Sequence, residues 1–523
     1  MSTERETTYK VLRSSGMATI SGNPRSNEER SSRITPALFG NALNWIDGEW
    51  VNANKTSDSF DPATGERIGT YADASREDAA AAIAAAVRAF RDSDWKENRH
   101  LRAKVLNQIA DRFEARRDDL IHILSLENGK VRAEAALEVD MIPTRLRYWA
   151  SAVLTNYGRA LEVEPGHLSF VTRTPIGVAG IIAPFNSPLV LAVRSLAPAL
   201  AAGVTTVIKL PGNTAQTNCM FSQVLAEVAD LPHGVINIFS ESGSDGSSLL
   251  VQSKDVRVIS FTGSTKTAKI IAAAGAPTLK VFQTELGGKT PMIVFDDADL
   301  SAAAPKIEKA LTVFAGQFCV TGSRLLVQRG VADKFRELIK ARLERVKVGP
   351  ASDPSSDMGP VIDKPNVARI DKMVEDAIAA GAKVIVRGGP ITDGPLAKGA
   401  FYRPALLEVT DPKLPIMQEE VFGPVLTMMV FDSEAEAVQL ANDSEYGLSA
   451  SIWTRDADRP FRVARDIDAG TIWINDWAVF WSEFEDGAFK RSGNGRMDGQ
   501  TAIDDFLEIK HIAFNSGVIA RAA

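Results

Sequence analysis

Short apolar segments alternate with longer amphipathic segments from residue 174 onward. Four of the short segments are typical of buried strands, and each is followed by a segment compatible with a helix: residues 178–183, 206–209, 236–239 and 258–261. Strands that alternate with helices in this way predict a parallel sheet with crossover helices. We therefore expect an α/β fold.

Helical periodicity comes before this region. It covers three segments: residues 76–92, 100–124 and 129–157. Ahead of them, the sequence W-I-D-G-E-W at residues 45–50 predicts a short hairpin with Asp-Gly at its turn.

A second set of strands and helices extends from residue 291 to about residue 474. It includes predicted amphipathic helices at residues 332–346 and 366–380. Two segments fit neither set: residues 161–173, which alternate like a strand, and the tail from Ile503. We expect these two segments to pair across subunits.

Two segments raise the question of targeting or of a membrane. Residues 1–40 are rich in Ser, Arg, Glu and Thr and lack an apolar run, so they predict a disordered N-terminal arm. Their acidic residues argue against a transit peptide, and the arm has no signal-peptide core. A translation start at Met17 is an alternative explanation of the arm. Residues 177–193 are apolar, but two prolines interrupt them, so they predict a strand, a loop and a helix and no membrane partner.

Composition and charge narrow the class further. The chain has 523 residues, of which 45% are hydrophobic and 24% charged, as in globular proteins, and its net charge of -7 gives no reason to expect a nucleic acid or membrane partner. The two cysteines cannot form a disulfide framework, which favours a reducing, cytoplasmic location. The five histidines show no metal-ligand spacing, so we expect no metal site.

Several short motifs combine polar side chains with glycine or proline, and each has an ordinary structural explanation. Cys319 in G-Q-F-C is compatible with a buried small apolar side chain, and Glu285 in E-L-G-G-K with an exposed turn. Asn186, between prolines at the end of a strand, is either a turn residue or a fixed amide donor. Ser264 lies between a strand and a helix whose N-terminus suits a phosphate. None of these motifs decides the function alone.

Taken together, in this order and spacing, the motifs resemble the aldehyde dehydrogenase superfamily from about Asn44 to His511. The most specific part is the distance of 34 residues (319 minus 285) between Glu285 and Cys319. The stretches that carry the resemblance are A-P-F-N-S-P-L, A-P-A-L-A-A-G, F-T-G-S-T, E-L-G-G-K, G-Q-F-C, M-G-P-V-I-D, M-Q-E-E-V-F-G-P, N-D-S-E-Y-G-L-S-A and K-R-S-G-N-G-R.

The resemblance implies a three-part α/β fold with a doubly wound parallel-sheet cofactor domain, an α/β catalytic domain and a small β oligomerisation element. Residues 41–157 and 177–286 are assigned to the cofactor-binding domain, and residues 287–502 to the catalytic domain. Residues 158–176 and 503–523 are assigned to the oligomerisation element. The resemblance also implies a homodimer or homotetramer.

The resemblance implies that Cys319 is the nucleophile that attacks a small-molecule aldehyde. The resulting oxyanion needs fixed donors, and the Asn186 amide and the Cys319 backbone N–H are the expected pair. Glu285 is expected to activate the water that releases the acid, and it is also a candidate base for the thiol. Because a glutamate occupies this position, we favour hydrolytic release over transfer to coenzyme A.

The implied cofactor is NAD or NADP. Lys209 is expected to hydrogen-bond the adenosine ribose, Ser264 to contact the pyrophosphate, and Glu420 to hold the nicotinamide ribose with Phe422 beside the ring. The remaining expected cofactor-binding residues are Pro184, Phe185, Gly263 and Leu286.

The chain departs from the family pattern at the cofactor and at the proton relay. Gly212 replaces a glutamate that binds both ribose hydroxyls in NAD-preferring members, which favours dual specificity or NADP use, whereas Glu241 replaces a glycine and acts the other way. Ser195 and Met497 replace the lysine and glutamate of the usual relay, and we leave open whether Asp498 substitutes.

Two further stretches of the sequence bear on the substrate. R-S-L-A-P-A-L-A-A-G resembles the benzaldehyde and vanillin dehydrogenase branch, and the expected substrate residues are Arg194, Phe318 and Phe480. Aromatic walls suit a flat ring, but they suit a quaternary ammonium equally well. The alternatives are therefore a betaine-like or aliphatic aldehyde, or a homologue that has lost catalysis and acts as a binding protein. Arg194 is either a carboxylate binder or part of a salt bridge.

Overall fold

A computed structural model describes residues 40–518, so the predicted N-terminal arm lies outside the described residues except for its last position. The strands follow in chain order: β1 (Asn41–Ala42), β2 (Asn44–Ile46), β3 (Glu49–Val51), β4 (Lys55–Phe60), β5 (Arg67–Asp73), β6 (Arg159–Glu164), β7 (His167–Pro175), β8 (Val178–Ile182), β9 (Thr205–Pro211), β10 (Ile236–Glu241), β11 (Val256–Thr262), β12 (Val281–Glu285), β13 (Pro291–Val294), β14 (Arg324–Gln328), β15 (Lys383–Val386), β16 (Gly389–Pro390), β17 (Tyr402–Arg403), β18 (Ala405–Glu408), β19 (Val425–Phe431), β20 (Tyr446–Gly447), β21 (Ser449–Trp453), β22 (Thr471–Ile474), β23 (Asp486–Gly487), β24 (Phe489–Lys490), β25 (Gly493–Asn494), β26 (Arg496–Met497) and β27 (Leu507–Asn515).

The α-helices are α1 (Arg76–Asp92), α2 (Arg99–Ala115), α3 (Arg117–Ile123), α4 (Arg132–Thr155), α5 (Pro188–Ala202), α6 (Ala215–Ala226), α7 (Asp245–Gln252), α8 (Thr265–Gly275), α9 (Leu300–Thr312), α10 (Arg329–Leu343), α11 (Lys364–Ala379), α12 (Pro415–Gln418), α13 (Glu434–Asn442) and α14 (Arg459–Asp466). Shorter turns are π-helical at Leu124–Asn128 and 3-10 helical at Gly212–Thr214, Ala276–Thr278, Val313–Gly316 and Gln500–Phe506.

The first sheet has the strand order β1-β5-β10-β9-β8-β11-β12-β25, with β2 paired to β10 and to β3, and β4 paired to β5. The chain runs outward from β8 through β9 to β10 and then returns to β11 on the other side of β8, with all these strands parallel. The side chains of β8 enter two different hydrophobic cores. Val178 and Ile182 pack in one core, and Ala179 and Ile181 pack in the other. The predicted doubly wound sheet is confirmed, and its order reverses at β8 and β11. A ligand crevice forms at such a reversal, at the carboxyl ends of the strands.

The second sheet has the order β15-β18-β19-β14-β13-β21-β22 and is parallel except at β15. Residues 286–290 link β12 of the first sheet, which ends at Glu285, to β13 of the second. Cys319 lies in the loop that enters β14. The candidate base and the candidate nucleophile therefore meet where the two sheets adjoin.

The third sheet is antiparallel and has the order β27-β7-β6. Its two parts pair with each other within one chain, from Leu507↔Pro175 to Asn515↔His167, and the expected pairing across subunits stays a prediction. Ile503, placed at the start of this element, packs in the first core, and the strand begins only at Leu507. The division into domains otherwise stays a prediction.

The predicted hairpin is confirmed. Strands β2 and β3 flank Asp47 and Gly48, whose φ angles are 56° and 77°. Positive φ at both central residues is the type I′ geometry that fits the twist of a two-residue hairpin.

The helical segment predicted over residues 100–124 is helical in the structure, which divides it into α2 and α3. The chain breaks at Arg116, with φ −103° and ψ 17°, and it ends in the π-helical turn Leu124–Asn128. In that turn the buried Glu127 accepts hydrogen bonds from the Thr217 amide, at 2.7 Å, and from the Ser59 hydroxyl. Glu127 thus ties this turn to β4 and α6, which are distant in the sequence.

Segment 177–193 forms β8, a loop and the start of α5, as predicted. Within residues 40–518, no helix is both long and apolar enough to cross a membrane.

Candidate active site

The crevice at the carboxyl ends of β8 and β11 is a cavity of about 310 Å³ that contains most of the predicted site residues. The loop after β8 contributes Asn186 and the last position of β12 contributes Glu285, while Cys319 reaches the cavity from the loop that enters β14. The predicted cofactor residues that line this cavity are Pro184, Phe185, Gly263, Ser264, Leu286, Glu420 and Phe422. Sheet topology thus brings together residues that are up to 238 positions apart (422 minus 184).

The N-terminus of α8 opens onto this cavity and can hold a phosphate. Ser264 is the N-cap, and its hydroxyl accepts a hydrogen bond from the Thr267 amide at 3.2 Å. Gly263 has no room for a side chain, because a Cβ there would lie 2.5 Å from the Phe261 ring. Backbone amides at a helix N-terminus favour anions, so the residues present fit a pyrophosphate.

The far end of the cavity is formed by the β12–β13 link and the loop after α12. Glu420 accepts a hydrogen bond from the Gly288 amide at 3.1 Å, and burial raises the pKa of its carboxyl to about 7. A Cβ on Gly287 would lie 2.4 Å from a Glu420 oxygen, so the glycine allows the carboxylate to approach. The rings of Phe185 and Phe422 meet edge to face, with centroids 5.9 Å apart.

Lys209 lies in a second cavity, and Phe185 lines both cavities. Burial lowers the pKa of the Lys209 ammonium, and within residues 40–518 that ammonium makes no hydrogen bond. A half-buried amine without a hydrogen-bond partner among the described residues, in a cavity that shares Phe185 with the phosphate site, fits the ribose end of a dinucleotide. The residues present therefore fit NAD or NADP.

The loop that carries Asn186 is held by side chains from far upstream in the sequence. Asn128 donates a hydrogen bond to the Phe185 carbonyl at 2.7 Å. The buried Glu138 accepts from the amide of Leu189 at 2.9 Å and so caps α5, which begins directly after the loop. Within the described residues the Asn186 side chain has no hydrogen-bond partner, so its amide is available as a donor.

Lys130 completes this support. It pairs with Glu138 and donates to the Ser187 hydroxyl at 2.9 Å, and all three side chains are buried. Sequence reasoning missed Asn128, Lys130 and Glu138. Asn128 ends the π-helical turn, Lys130 lies in the link before α4, and Glu138 is a charged residue of α4; that all three are buried is something the sequence alone does not show.

The loop that carries Cys319 has an unusual backbone. Phe314, Ala315 and Gly316 have φ angles of 52°, 53° and 71°, all in the left-handed region. A Cβ on Gly316 would lie 2.3 Å from the Gly423 carbonyl carbon, so only glycine fits. Non-glycine residues at positive φ cost about 1–3 kcal/mol each and persist only where their surroundings hold them.

Two buried side chains hold this backbone. Glu134 of α4 accepts from the Phe314 amide at 3.1 Å. Gln317 donates to the Phe314 carbonyl at 3.0 Å and accepts from the Ile362 amide at 3.0 Å. Helix α4 therefore supports the loops of both Asn186 and Cys319, through Glu138 and Glu134.

Cys319 lines the cofactor-side cavity and also a third cavity of about 420 Å³. Its Sγ lies 4.0 Å from the Oε2 atom of Glu285. Burial, followed by the nearby Glu285 carboxylate, raises the pKa of the thiol well above its ordinary value. The resting thiol is therefore protonated and needs a base.

Glu285 is placed to be that base. It ends β12, is 2% exposed, and its Oε1 atom has no hydrogen-bond partner among the described residues. Burial raises the pKa of its carboxyl to about 8, although the adjacent Arg194 opposes the shift. A base with a pKa near the working pH is well matched to proton transfer.

Arg194 lies against this base rather than free in the substrate cavity. Its Nη1 atom is 3.1 Å from Oε2 of Glu285 and 3.0 Å from Oδ2 of Asp486, and its Nη2 atom donates to the Thr262 hydroxyl at 3.2 Å. Of the two roles expected for Arg194, the structure shows the salt bridge. Asp486, in E-D-G-A at residues 485–488, was not predicted.

Uncharged side chains occupy the two positions at which the family pattern has the lysine and glutamate of the proton relay. The Ser195 hydroxyl lies 3.9 Å from the Met497 sulfur and accepts a hydrogen bond from Ser260 at 2.8 Å. Asp498 is ion-paired with Arg145 at 2.9 Å and is 1% exposed. Asp498 is therefore engaged in a buried pair that does not include Glu285.

Aromatic side chains line the third cavity, with Phe318 and Phe480 among them as predicted. The Phe318 ring contacts Phe314, Trp477 and Phe480 with centroid distances of 5.3, 6.0 and 6.5 Å. The Trp477 indole donates to the Val320 carbonyl at 2.8 Å, which fixes the ring beside the cysteine loop. The cavity therefore has a rigid aromatic wall next to the thiol.

The profile of the aldehyde dehydrogenase family matches residues 50–512. The chain belongs to the aldehyde dehydrogenase family. It is 38% identical over 476 residues to the betaine aldehyde dehydrogenase of Bacillus subtilis, covering 90% of this chain and 97% of that one. It is 37% identical over 475 residues to the 2-aminomuconic semialdehyde dehydrogenase of Danio rerio, with the same coverage of both chains.

Among solved structures, the aldehyde dehydrogenase fold is matched by the betaine aldehyde dehydrogenase of Staphylococcus aureus in complex with NAD+. The TM-score is 0.89 at 36% identity, with 92% of this chain and 95% of that chain covered. The family prediction is confirmed, and with it an oxidoreductase that acts on aldehydes with NAD or NADP as cofactor. The roles of the individual site residues stay predictions.

Proposed function

We propose that this aldehyde dehydrogenase oxidises an uncharged aromatic aldehyde to the carboxylic acid by the hydrolytic route. The observation that carries the proposal is the position of Cys319, whose thiol lies between the nucleotide-type cavity and the aromatic cavity. An aldehyde that enters from the aromatic side meets the thiol at the point where the cofactor cavity begins.

The first step is attack of the Cys319 sulfur on the aldehyde carbon, with the thiol proton passing to Glu285. A thiohemiacetal forms, and the carbonyl oxygen becomes an oxyanion. The Asn186 amide and the Cys319 backbone N–H stabilise that oxyanion. Fixed donors of this kind are worth about 2.7–4 kcal/mol each to the transition state.

Bound NAD or NADP supplies the hydride acceptor for the oxidation, and Lys209, Ser264 and Glu420 are the residues that would hold it. Cys319 then carries the acyl group as a thioester. Glu285 releases the thiol proton to solvent and then removes a proton from water. The hydroxide adds to the thioester carbon, and the carbon–sulfur bond breaks to release the acid while the water proton passes from Glu285 to the leaving sulfur. The thiol is regenerated.

The substrate class follows from the charges of the aromatic cavity. Its lining includes four cationic and two anionic side chains. All six are ion-paired: Glu138 with Lys130, Arg145 with Asp498, Arg194 with Glu285 and Asp486, Lys306 with Asp476, and Lys309 with Glu134. A charged substrate would have to compete with these pairs, whereas an uncharged ring needs only the aromatic wall.

A betaine-like aldehyde is the second candidate. Aromatic faces such as those of Phe480 and Trp481 attract quaternary ammonium groups, and two relatives are betaine aldehyde dehydrogenases. Both carboxylates of the lining, Glu138 and Asp486, are already ion-paired, so the lining offers the ammonium no unpaired anionic side chain, which opposes this candidate.

The test is the rate of nicotinamide reduction with benzaldehyde, vanillin, betaine aldehyde and short aliphatic aldehydes. We expect kcat/KM to be at least about tenfold higher for the aromatic members than for betaine aldehyde. Cys319→Ala should abolish turnover, and Cys219→Ala, at the second and buried cysteine, is the matched control that should retain it. A preference for betaine aldehyde would overturn the substrate class. A folded protein that binds NAD+ but oxidises none of these aldehydes would favour the homologue without catalysis.

We also propose that the protein forms a cytoplasmic homodimer or homotetramer. The third sheet exposes apolar side chains, among them Leu161, Val163, Ile509 and Phe514. Strands that expose apolar residues are typically covered by a partner. Light scattering of the purified protein measures the oligomeric state, and a monomer would contradict this proposal.

A further inference from the structure

The cavity around Lys209 is unusually acidic for a site that accepts a phosphate. Its lining has one cationic side chain, Lys209, against the carboxylates of Asp58, Glu241 and Asp363. Asp58 is ion-paired with Arg67, and Asp363 caps α11. Glu241 is the third carboxylate of the lining.

Glu241 is held in a fixed position at the N-terminus of α7. Its two oxygens accept hydrogen bonds from the Gly246 amide at 2.9 Å and from the Ser247 amide at 3.0 Å, and the side chain is 2% exposed. These amides are the groups with which a helix N-terminus binds an added phosphate. In this chain the protein's own carboxylate already occupies them.

The strand register places Glu241 beside the half-buried amine. Lys209 of β9 is paired with Phe239 of β10, and Glu241 lies two residues further along β10, on the same face of the sheet. The Glu241 carboxylate also acts on the Lys209 ammonium, raising its pKa against the effect of burial. Any group that Lys209 binds is therefore close to a carboxylate.

Gly212 does not leave the room that its lack of a side chain suggests. A Cβ built on Gly212 would lie 2.1 Å from the Tyr71 hydroxyl oxygen. Tyr71 is 3% exposed and lines the same cavity. The space beside Gly212 is thus filled by an uncharged phenol, and no cationic side chain besides Lys209 lines this cavity within the described residues.

We propose that Glu241, with Tyr71 packed against Gly212, makes this site select NAD over NADP. This inference rests on the proposed function, because it places the adenosine ribose at Lys209. Ribose hydroxyls are neutral and can donate hydrogen bonds to a carboxylate. A 2′-phosphate carries about −1.5 to −2 charges, and a nearby carboxylate repels it. The charge of Glu241 therefore discriminates between NAD and NADP, as a glutamate at position 212 would have done.

The experiment is calorimetric titration of the purified protein with NAD+ and with NADP+ in the absence of aldehyde, so that binding is measured without turnover. We expect NADP+ to bind at least about tenfold more weakly than NAD+. Glu241→Gln keeps an oxygen for the α7 amides but removes the charge, and it should narrow the ratio of the two dissociation constants by about tenfold, mainly through tighter NADP+ binding. Asp245→Asn is the matched control, because it removes the same charge from an exposed position in the first turn of α7, and it should leave the ratio within about twofold.

Equal affinity of the wild-type protein for NAD+ and NADP+ would overturn the inference. So would an unchanged ratio in a Glu241→Gln variant whose thermal unfolding resembles that of the wild type. Should that variant fail to fold, titration of the wild type with 5′-AMP and 2′,5′-ADP decides the matter, since the inference requires the added 2′-phosphate to weaken binding. Failure of the wild type to bind NAD+ at all would contradict the proposed function instead.

Discussion

Removal of the Arg194 charge should shift the pH range in which the enzyme works. The Nη1 atom of Arg194 lies 3.1 Å from Glu285 and 3.0 Å from Asp486, so its charge stabilises the ionised form of both carboxylates. Two unit charges about 4 Å apart interact by about 4 kcal/mol at an effective dielectric constant of 20. Because the guanidinium charge is shared between two carboxylates, we assign about half of this to Glu285. Since 1.36 kcal/mol corresponds to one pKa unit, Arg194→Leu should raise the pKa of Glu285 by about 1 to 2 units.

The consequence can be measured in the hydrolysis step, which needs the ionised Glu285 carboxylate. With the arginine present, the pKa of Glu285 is about 8, so activity should rise with pH through about 8. The variant should have its midpoint about 1 to 2 units higher and should lose about ten- to a hundredfold in rate at neutral pH. Steady-state rates between about pH 6 and 10, together with the pre-steady-state burst of reduced nicotinamide, separate hydrolysis from the oxidation that precedes it.

Arg194→Lys is the matched variant, because it retains a positive charge and should keep the midpoint closer to that of the wild type. Removing one partner of a buried ion pair also costs about 3–5 kcal/mol of stability, so both variants need a thermal unfolding curve before their rates are compared. A folded Arg194→Leu variant with the midpoint of the wild type would refute the assignment of Arg194 as the residue that keeps Glu285 ionised.

Three further changes test the remaining parts of the site. Asn186→Ala should lower kcat by about 10²- to 10³-fold while the protein stays folded, as stopped-flow oxidation would show, and a loss below about threefold would remove Asn186 from the oxyanion site. Gly316→Ala places a Cβ 2.3 Å from the Gly423 carbonyl carbon at a φ of 71°, so it should cost at least about 1–3 kcal/mol in denaturant unfolding, and wild-type stability would contradict the strained loop. The folded-state pKa of Glu285, about 8, lies above its ordinary value of 4.5, so the folded protein holds this proton more tightly than the unfolded chain does. The free energy of unfolding therefore falls as pH rises between these two pKa values. In Glu285→Gln the loss of stability between about pH 5 and 8 should therefore be smaller, and thermal unfolding across that range measures it.

The sequence by itself was sufficient for features that depend on neighbouring residues. The alternation of apolar and amphipathic segments predicts the doubly wound sheet because buried parallel strands need crossover helices. Asp47 and Gly48 predict their hairpin because a two-residue turn requires positive φ at both positions. The family motifs place Cys319, Asn186 and Glu285 together because the topology of the fold, once recognised, fixes where each loop must lie.

Tertiary structure alone decided which side chains support and tune that site. Helix α4 looks like an ordinary amphipathic segment, yet its Glu134 and Glu138 hold the two catalytic loops. In the sequence, Gly212 favours binding of a 2′-phosphate because it has no charge to repel one. In the structure, the space beside Gly212 is filled by Tyr71, which lies 141 positions earlier (212 minus 71). The pairing of Arg194 with Asp486 joins residues 292 positions apart. The physical reason is the same in each case: the position of a buried charge or hydroxyl depends on which distant strands and helices pack against it, and periodicity along the chain carries no information about that choice.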